Sequence, residues 1–343
     1  MAVTIRDVAS AAGVSISTVS RALSAPEQVA EETLLRVQHQ ARVLGYRPNR
    51  AARGLITGHS GNLGLVVPDL ENPFFGSICK GVQERARSRG YAVFIADSDE
   101  DPRLEAEVVR SLTKQVDGLV LCSSRCTDTE LEQLAADCRM VLVNRRSSGI
   151  LSISFDNGDA VRSVLRHLVA LGHRRIAYAA GPVTSWSNRE RSGAFLEFDA
   201  ETADVELVEL GSFPPVFSGG VQAADLAIAS GATAVLAFND LVAVGVLDRL
   251  RQRGVQVPRD ISVTGFDDVP MATLSTPSLT TVSFPRLQMG RACVDILLDS
   301  VLGRPADGHP VADMAVELVI RESTGVVSRP AGARDPRLVE LPA

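Results

Sequence analysis

The sequence predicts a small all-α unit followed by a large α/β body of two doubly wound parallel-sheet lobes. Three observations carry that prediction. The hydrophobic period changes near Asn62, from short amphipathic helices to strands alternating with helices. The chain is 343 residues long, more than one hydrophobic core usually organises. Its charge is also divided. Residues 1–60 hold seven arginines against Asp7, Glu27, Glu31 and Glu32, a net +3, whereas the remainder holds 28 basic and 37 acidic residues, a net −9. A basic unit on an acidic body points to nucleic-acid contact at one end only.

Thr4 is placed to cap a first helix, with Asp7 in capping-box position and Val8, Ala9 and Ala12 on its inner face. Gly13 and Val14 supply a turn. Ser15 then caps a second helix running to about Leu23, with Val14, Val19 and Leu23 inward and Ile16, Ser17, Ser20 and Arg21 outward. A longer helix follows over about 30–44, ended by Gly45, with Glu31 and Glu32 favourably placed at its positive end. The segment RPNRAARGLITGHSGN reads as a linker: the stretch begun by Pro48 is too short for a stable isolated helix.

Ten strands are predicted beyond it, at 64–69, 91–97, 117–123, 140–144, 151–156, 175–181, 205–211, 233–240, 261–268 and 279–285. Helices sit between most of them, for example over 75–89, 101–114, 158–171, 187–198, 219–230 and 241–253. Continuous apolar strands joined by amphipathic helices imply parallel sheets covered on both faces. Ten strands divide best into two similar lobes. Polar residues gather at the strand ends: Asp69, Asp97, Ser123, Asn144, Asp156, Asn239, Asp240, Asp267 and Asp268. Ligands of open parallel sheets bind beyond those ends, although several of these residues are expected to serve only as helix caps. Phe74, Phe75, Trp186 and Phe213 lie beside the same loops. Rings next to carboxylates and amides suit a sugar or nucleobase, which needs stacking and directed hydrogen bonds.

The composition excludes several classes. Cys79, Cys122, Cys126, Cys138 and Cys293 are scattered without a second pair or a nearby histidine, so they read as idle thiols in a reducing compartment. The N-terminal stretch is charged and helical rather than an export signal, and the apolar runs are of strand length, which predicts a soluble, cytoplasmic protein. No P-loop, strand-linked GxGxxG, GxSxG or metal-ligand cluster occurs, and His39, His59, His167, His173 and His309 fall at no paired spacing. No cofactor, no metal and no catalysis are therefore expected. A sugar kinase or dehydrogenase lacks its motifs here; a periplasmic sugar-binding protein would lack residues 1–60.

Over residues 3–325 the chain resembles the LacI/GalR family of bacterial transcriptional regulators. The resemblance rests on TIRDVASAAGVSISTVSRAL (4–23), LGYRPNRAARGL (44–55), VPDLENPFF (67–75), ALGHRRIAYAAG (170–181), FNDLVAVGVL (238–247), VPRDISVTGFDD (257–268) and STPSLTTV (275–282), in that order and spacing. It implies an all-α helix-turn-helix DNA-binding domain at 1–46 and a hinge helix and linker at 47–60. A two-lobed effector-binding and dimerisation domain follows at 61–327, of the type I periplasmic-binding-protein-like fold. The aperiodic stretch 328–343 is expected to be a disordered tail.

The resemblance also implies partners and residue roles. The partners are palindromic double-stranded DNA, a small sugar-like effector and a second copy of the chain. Ile16, Ser17 and Arg21 take the base-reading positions, and Arg21 could donate two hydrogen bonds to a guanine. Thr4, Ser15, Thr18, Ser20 and Asn49 suit phosphate contacts. Leu55 takes the position of a minor-groove wedge, flanked by Ala52 and Arg53. For the effector, the resemblance points to Phe74, Asn144, Arg145, Trp186, Arg191, Phe213, Asn239 and Asp267. The stretch 195–220 is shortened relative to the family, which fixes Phe213 only to within a residue or two. Whether the effector induces or co-represses is left open.

Overall fold

A computed structural model describes residues 3–24, 26–46, 59–201, 204–304 and 311–327. The chain forms two compact units, residues 1–61 and 62–343.

In the first unit, α1 spans Ile5–Ala12, α2 Ile16–Ser24 and α3 Glu31–Val43, with a 3₁₀ turn at Pro26–Gln28. The start of α1 is fixed by Thr4, whose backbone N–H and hydroxyl both donate to the Asp7 carboxylate at 2.8 Å. These two bonds favour the ionised acid and hold its pKa below the ordinary range. Gly13 turns the chain at φ 65°, in the left-handed region that a β-carbon disfavours. Ser15 Oγ then accepts the Thr18 N–H at 3.1 Å, capping α2. Val8, Ala9, Ala12, Val19, Ala22, Val37 and Ala41 make the small core. Val14 and Leu23, expected inside, pack only at its margin. The third helix begins at Glu31, with Ala30 as a cap residue that offers no side-chain bond.

In the second unit all ten predicted strands appear: β1 Asn62–Val67, β2 Ala92–Asp97, β3 Gly118–Cys122, β4 Met140–Val143, β5 Leu151–Phe155, β6 Arg175–Ala180, β7 Glu206–Ser212, β8 Ala234–Ala237, β9 Ser262–Thr264 and β10 Thr281–Ser283. Two further strands, β11 Val311–Met314 and β12 Glu317–Val319, were not expected. The first lobe is a parallel sheet in the order β11-β5-β4-β3-β1-β2, the second a parallel sheet in the order β7-β6-β8-β9. β10 pairs antiparallel with β12 and reaches the second sheet through a bridge between Thr264 and Thr280. The lobes are thus not consecutive in sequence. The chain passes between them after β5, after β10 and between β11 and β12.

Among the described residues nine helices complete this unit: α4 Pro73–Ser88, α5 Pro102–Thr113, α6 Asp128–Asp137, α7 Asn157–Ala170, α8 Trp186–Glu201, α9 Phe217–Ser230, α10 Asp240–Gln252, α11 Pro270–Leu274 and α12 Arg286–Val301. In the first lobe α4 and α12 meet through glycines: a β-carbon on Gly81 would lie 2.2 Å from the Leu287 carbonyl oxygen, and one on Gly290 2.3 Å from that of Ile78. At the passages between lobes the Phe155 and Phe284 rings stack at 4.0 Å, with Phe266 6.1 Å from Phe155 and Phe74 5.6 Å from Phe284. These rings join the cores of both lobes at the base of the cleft.

Candidate functional site

The first unit presents a polar helix face. Val19 of α2 is fully buried, which turns Ile16 (45% exposed), Ser17 and Arg21 outward. Arg21 makes no ion pair among the described residues, so its guanidinium is available to a partner. Ser15 Oγ lies 2.8 Å from both Ser17 Oγ and Thr18 Oγ1. Thr4 already commits its single hydroxyl hydrogen to Asp7. Asn49, Ala52, Arg53 and Leu55, predicted for phosphate and minor-groove contact, lie outside the described residues.

Between the lobes lies a cavity of no more than about 360 Å³, lined from the first lobe by Asn72, Phe74, Phe75, Glu100, Ser123, Arg125 and Asn144. From the second lobe it is lined by Ser185, Ser187, Arg191, Pro215, Phe238, Asn239 and Asp267. Each side chain has a local cause. Asn72 caps α4, accepting the Phe74 N–H at 3.0 Å, and sets that ring over the cavity. Asn239 caps α10 through Val242 N–H at 2.9 Å and donates to the Pro215 carbonyl at 2.8 Å. Its place on the cavity wall and its capping role coincide. Asn144 donates to Ser123 Oγ at 2.9 Å, while its own Oδ1 is buried without a partner.

The electrostatics are those of a desolvated, nearly balanced site. Arg191, 3% exposed, donates from Nε to Asn157 at 2.9 Å and from Nη1 to the Phe238 carbonyl at 2.6 Å. Its guanidinium carbon sits 3.5 Å from the centre of the Phe266 ring. Burial lowers its pKa, against the pull of Asp267. Asp267, 6% exposed, makes no side-chain hydrogen bond; burial pushes it up to about 7, opposed by Arg191 and Arg286. Asp240, at the start of α10, is fully buried and accepts Thr281 Oγ1 at 2.5 Å and Val269 N–H at 2.8 Å. Burial and the neighbouring Asp267 hold it well above the carboxylate range.

Of the residues predicted to hold the effector, Phe74, Asn144, Arg191, Asn239 and Asp267 line this one cavity. Three predicted residues do not line the cavity. Arg145 is 1% exposed and turns away to Asp128, 2.9 Å from Nη2, and to the Cys126 carbonyl. Phe213 is drawn into the alanine-rich core of the second lobe, and Pro215, two residues on, takes the cavity position. Trp186, the first residue of α8, is half-buried outside the lining, whereas Ser185 and Ser187 on either side are part of it. Among the polar strand-end residues, Asp69 and Asp97 brace turns, Asp156 caps α7 and Asp268 pairs with Arg321. Sequence reasoning missed Asn72, Glu100, Arg125, Ser185, Ser187, Pro215 and Phe238. Glu100 and Arg125 each lie three residues past a strand, beyond Asp97 and Ser123, the polar residues at the strand ends themselves.

Among the described residues there is no group of histidine, cysteine and carboxylate side chains fit to hold a metal ion, and no helix long and apolar enough to cross a membrane.

Comparison with known proteins matches both units. The model of the bacterial regulatory proteins of the lacI family covers residues 4–49, and that of the periplasmic binding protein-like domain covers 165–324. The HTH-type transcriptional repressor CytR of Escherichia coli K12 is 32% identical over 332 residues, spanning 94% of this chain and 96% of CytR. The crystal structure of the Lac repressor dimer bound to operator and the anti-inducer ONPF superposes with a TM-score of 0.84 at 28% identity, covering 95% of this chain and 100% of that one. A LacI family regulator from Enterococcus faecium with bound ribose gives a TM-score of 0.68 at 27% identity, covering 78% and 100%.

Proposed function

The chain belongs to the lacI family of bacterial regulatory proteins and is a DNA-binding transcriptional regulator; from that premise we propose that it is a dimeric, cytoplasmic repressor of carbohydrate-utilisation genes, controlled by a sugar-like effector between its lobes. The observation that carries the effector half of the proposal is the cleft itself. It combines Phe74 with an unpartnered acceptor on Asn144, the unbonded carboxylate of Asp267 and the cationic Arg191. A polyhydroxylated ring satisfies such a set, since hydroxyls both donate and accept while the ring's apolar face rests on an aromatic. The relatives support the choice: one related structure carries ribose and another an operator.

The DNA half assigns base reading to Ile16, Ser17 and Arg21. Phosphate contacts fall to Thr4, Ser15, Thr18, Ser20 and Asn49, and the minor-groove wedge to Leu55 with Ala52 and Arg53. Two copies of α2 would read the halves of a palindrome. Effector binding moves the operator equilibrium only by the difference in its affinity for the two states, which the relative placement of the lobes sets. Binding without turnover is part of this reading, in keeping with relatives that are transcriptional repressors.

The proposal is tested by selecting operators from random duplex DNA and measuring affinity with and without each of a panel of sugars. A two-fold symmetric site whose affinity one sugar changes supports it. A selected site insensitive to every sugar that binds the protein refutes the control mechanism. Leu55→Ala is expected to weaken operator binding with effector affinity intact; unchanged operator affinity removes the wedge assignment.

A further inference from the structure

One pair of charges in the cleft is used by neither the fold nor the sugar contacts above. Arg125 and Glu100 both line the cavity of the first lobe. The Arg125 side chain is 4% exposed, and its Nε and Nη2 donate to the two carboxylate oxygens of Glu100, the second at 2.9 Å. Nη1 donates to the Ser123 carbonyl. Both partners are held rigidly. Glu100 has φ 58° in a turn whose N–H groups bind the Pro68 carbonyl at 2.9 Å and the Asp97 carboxylate at 2.8 Å. The backbone N–H of Arg125 binds the buried Glu105 carboxylate at 2.7 Å.

An arginine fork beside a ligand cavity is ordinarily suited to clamp a phosphate or carboxylate. Here the fork is filled by the protein's own carboxylate in the same two-bond geometry. The other arginine of the cavity has Nε and Nη1 committed to Asn157 and Phe238. Facing it, Asp267 adds an unpaired carboxylate. A phosphoryl group would find no open fork and no net positive charge, since each arginine of the cavity is already offset by a carboxylate, and an uncompensated anion in a desolvated site is strongly unfavourable. A neutral hydroxyl meets no such penalty: Asp267 and Asn144 Oδ1 accept, and the remaining Nη hydrogens of the arginines donate.

We propose that the cleft selects an uncharged sugar and rejects its phosphorylated form, with Arg125 as a specificity-determining residue and Glu100 as the residue that neutralises and positions it. The inference rests on the sugar-effector proposal and narrows it.

The experiment uses the full-length protein in a thermal-shift and calorimetric panel. The probes are D-ribose, D-xylose, D-glucose and D-galactose, with ribose 5-phosphate, glucose 6-phosphate and galactose 6-phosphate, the disaccharide cellobiose, and adenosine as a non-sugar-selective control. The expected result is binding of at least one neutral sugar, whether a monosaccharide or cellobiose, and binding of a monosaccharide at least about tenfold tighter than that of its phosphate. Glu100→Gln, which keeps shape and removes the charge, is expected to reduce that neutral-over-phosphate preference by about tenfold or more. A sugar phosphate bound by the native chain more tightly than the free sugar overturns the inference and leaves the sugar-effector proposal standing. A native-chain preference that Glu100→Gln does not alter overturns the role of the ion pair. Binding of adenosine with none of the sugars or phosphates overturns the sugar-effector proposal itself.

Discussion

Replacing Asp267 by asparagine should make the protein more stable and its cleft worse at binding. The carboxylate is 6% exposed, makes no side-chain hydrogen bond and has its pKa raised by burial from an ordinary 3.8 to about 7. The folded state therefore holds this proton more tightly than the unfolded chain does. Its contribution to stability is full below about pH 3.8 and is lost as pH rises to about 7. At 1.36 kcal/mol per pH unit the loss above pH 7 is about 4 kcal/mol, the ceiling on what an uncharged isostere recovers. Because an amide in the same place still needs partners, we expect a gain of roughly 2–4 kcal/mol at pH 7.5, seen as a rise of several degrees in melting temperature. Near pH 5 the gain should be much smaller, since native Asp267 is then protonated. Effector affinity should fall by about 10- to 100-fold, through loss of charge-assisted bonds worth about 1.5–3 kcal/mol each. Thermal denaturation of both proteins from pH 5 to pH 7.5, with calorimetry for the bound sugar, gives all three quantities. An Asp267→Asn protein no more stable than the native chain at pH 7.5, or a difference that does not shrink toward pH 5, refutes the assignment of a destabilising buried charge.

Arg21→Ala should reduce the preference for the selected operator over random DNA by about 1–3 kcal/mol, measured by fluorescence anisotropy at fixed salt; retention of the full preference removes Arg21 from base reading. Gly81→Ala places a methyl 2.2 Å from the Leu287 carbonyl oxygen, so the α4–α12 crossing must open. Overpacking of about 1–3 kcal/mol should exceed the ~1 kcal/mol of helix propensity gained, giving a lower melting temperature. His173 is buried between Thr233, Ser262 and the Gly325 carbonyl at 3.0, 3.0 and 3.1 Å, and burial lowers its pKa. Its neutral form therefore stabilises the fold above about pH 6.5, and that stabilisation is lost as pH falls. The stability difference between the native chain and His173→Gln should be larger at pH 7.5 than at pH 5.5 in urea denaturation, and a difference independent of pH counts against it.

The helical unit was legible because its signals are local. Thr4 with Asp7, Ser15 with Thr18, and Gly13 at φ 65° are decided within four residues of sequence. The strands were legible because a parallel sheet covered on both faces needs continuous apolar runs, as in GLVLC and MVLV. β11 and β12 were not, since VADM and ELV are short and mixed and become strands only through β5 and β10, more than thirty residues away in sequence. The last of the three passages between lobes, the one between β11 and β12, was hidden with them.

The cleft shows a subtler limit, and the same fact argues for its function. Six described residues other than glycine have positive φ, and four of them, Glu100, Ser123, Asn144 and Asp267, line the cavity. A left-handed backbone swings the side chain away from where strand alternation would send it. Counting along the sequence therefore gives the right loop and the wrong neighbour. Arg145 follows Asn144, whose φ is 55°, and ends on Asp128 rather than in the cleft; Arg125, two residues past Ser123 with φ 44°, ends inside. Such conformations cost about 1–3 kcal/mol each and persist where the surrounding structure imposes them. Here that structure is visible: Asn144 is tied to Ser123, Glu100 to Pro68 and Arg125, and the Asp267 carbonyl to Arg286. A fold with no ligand to meet would have little reason to concentrate its strain in four residues around one cavity. Strain concentrated there implies that the polar groups are set in place before the effector arrives, so little binding energy is spent on ordering them.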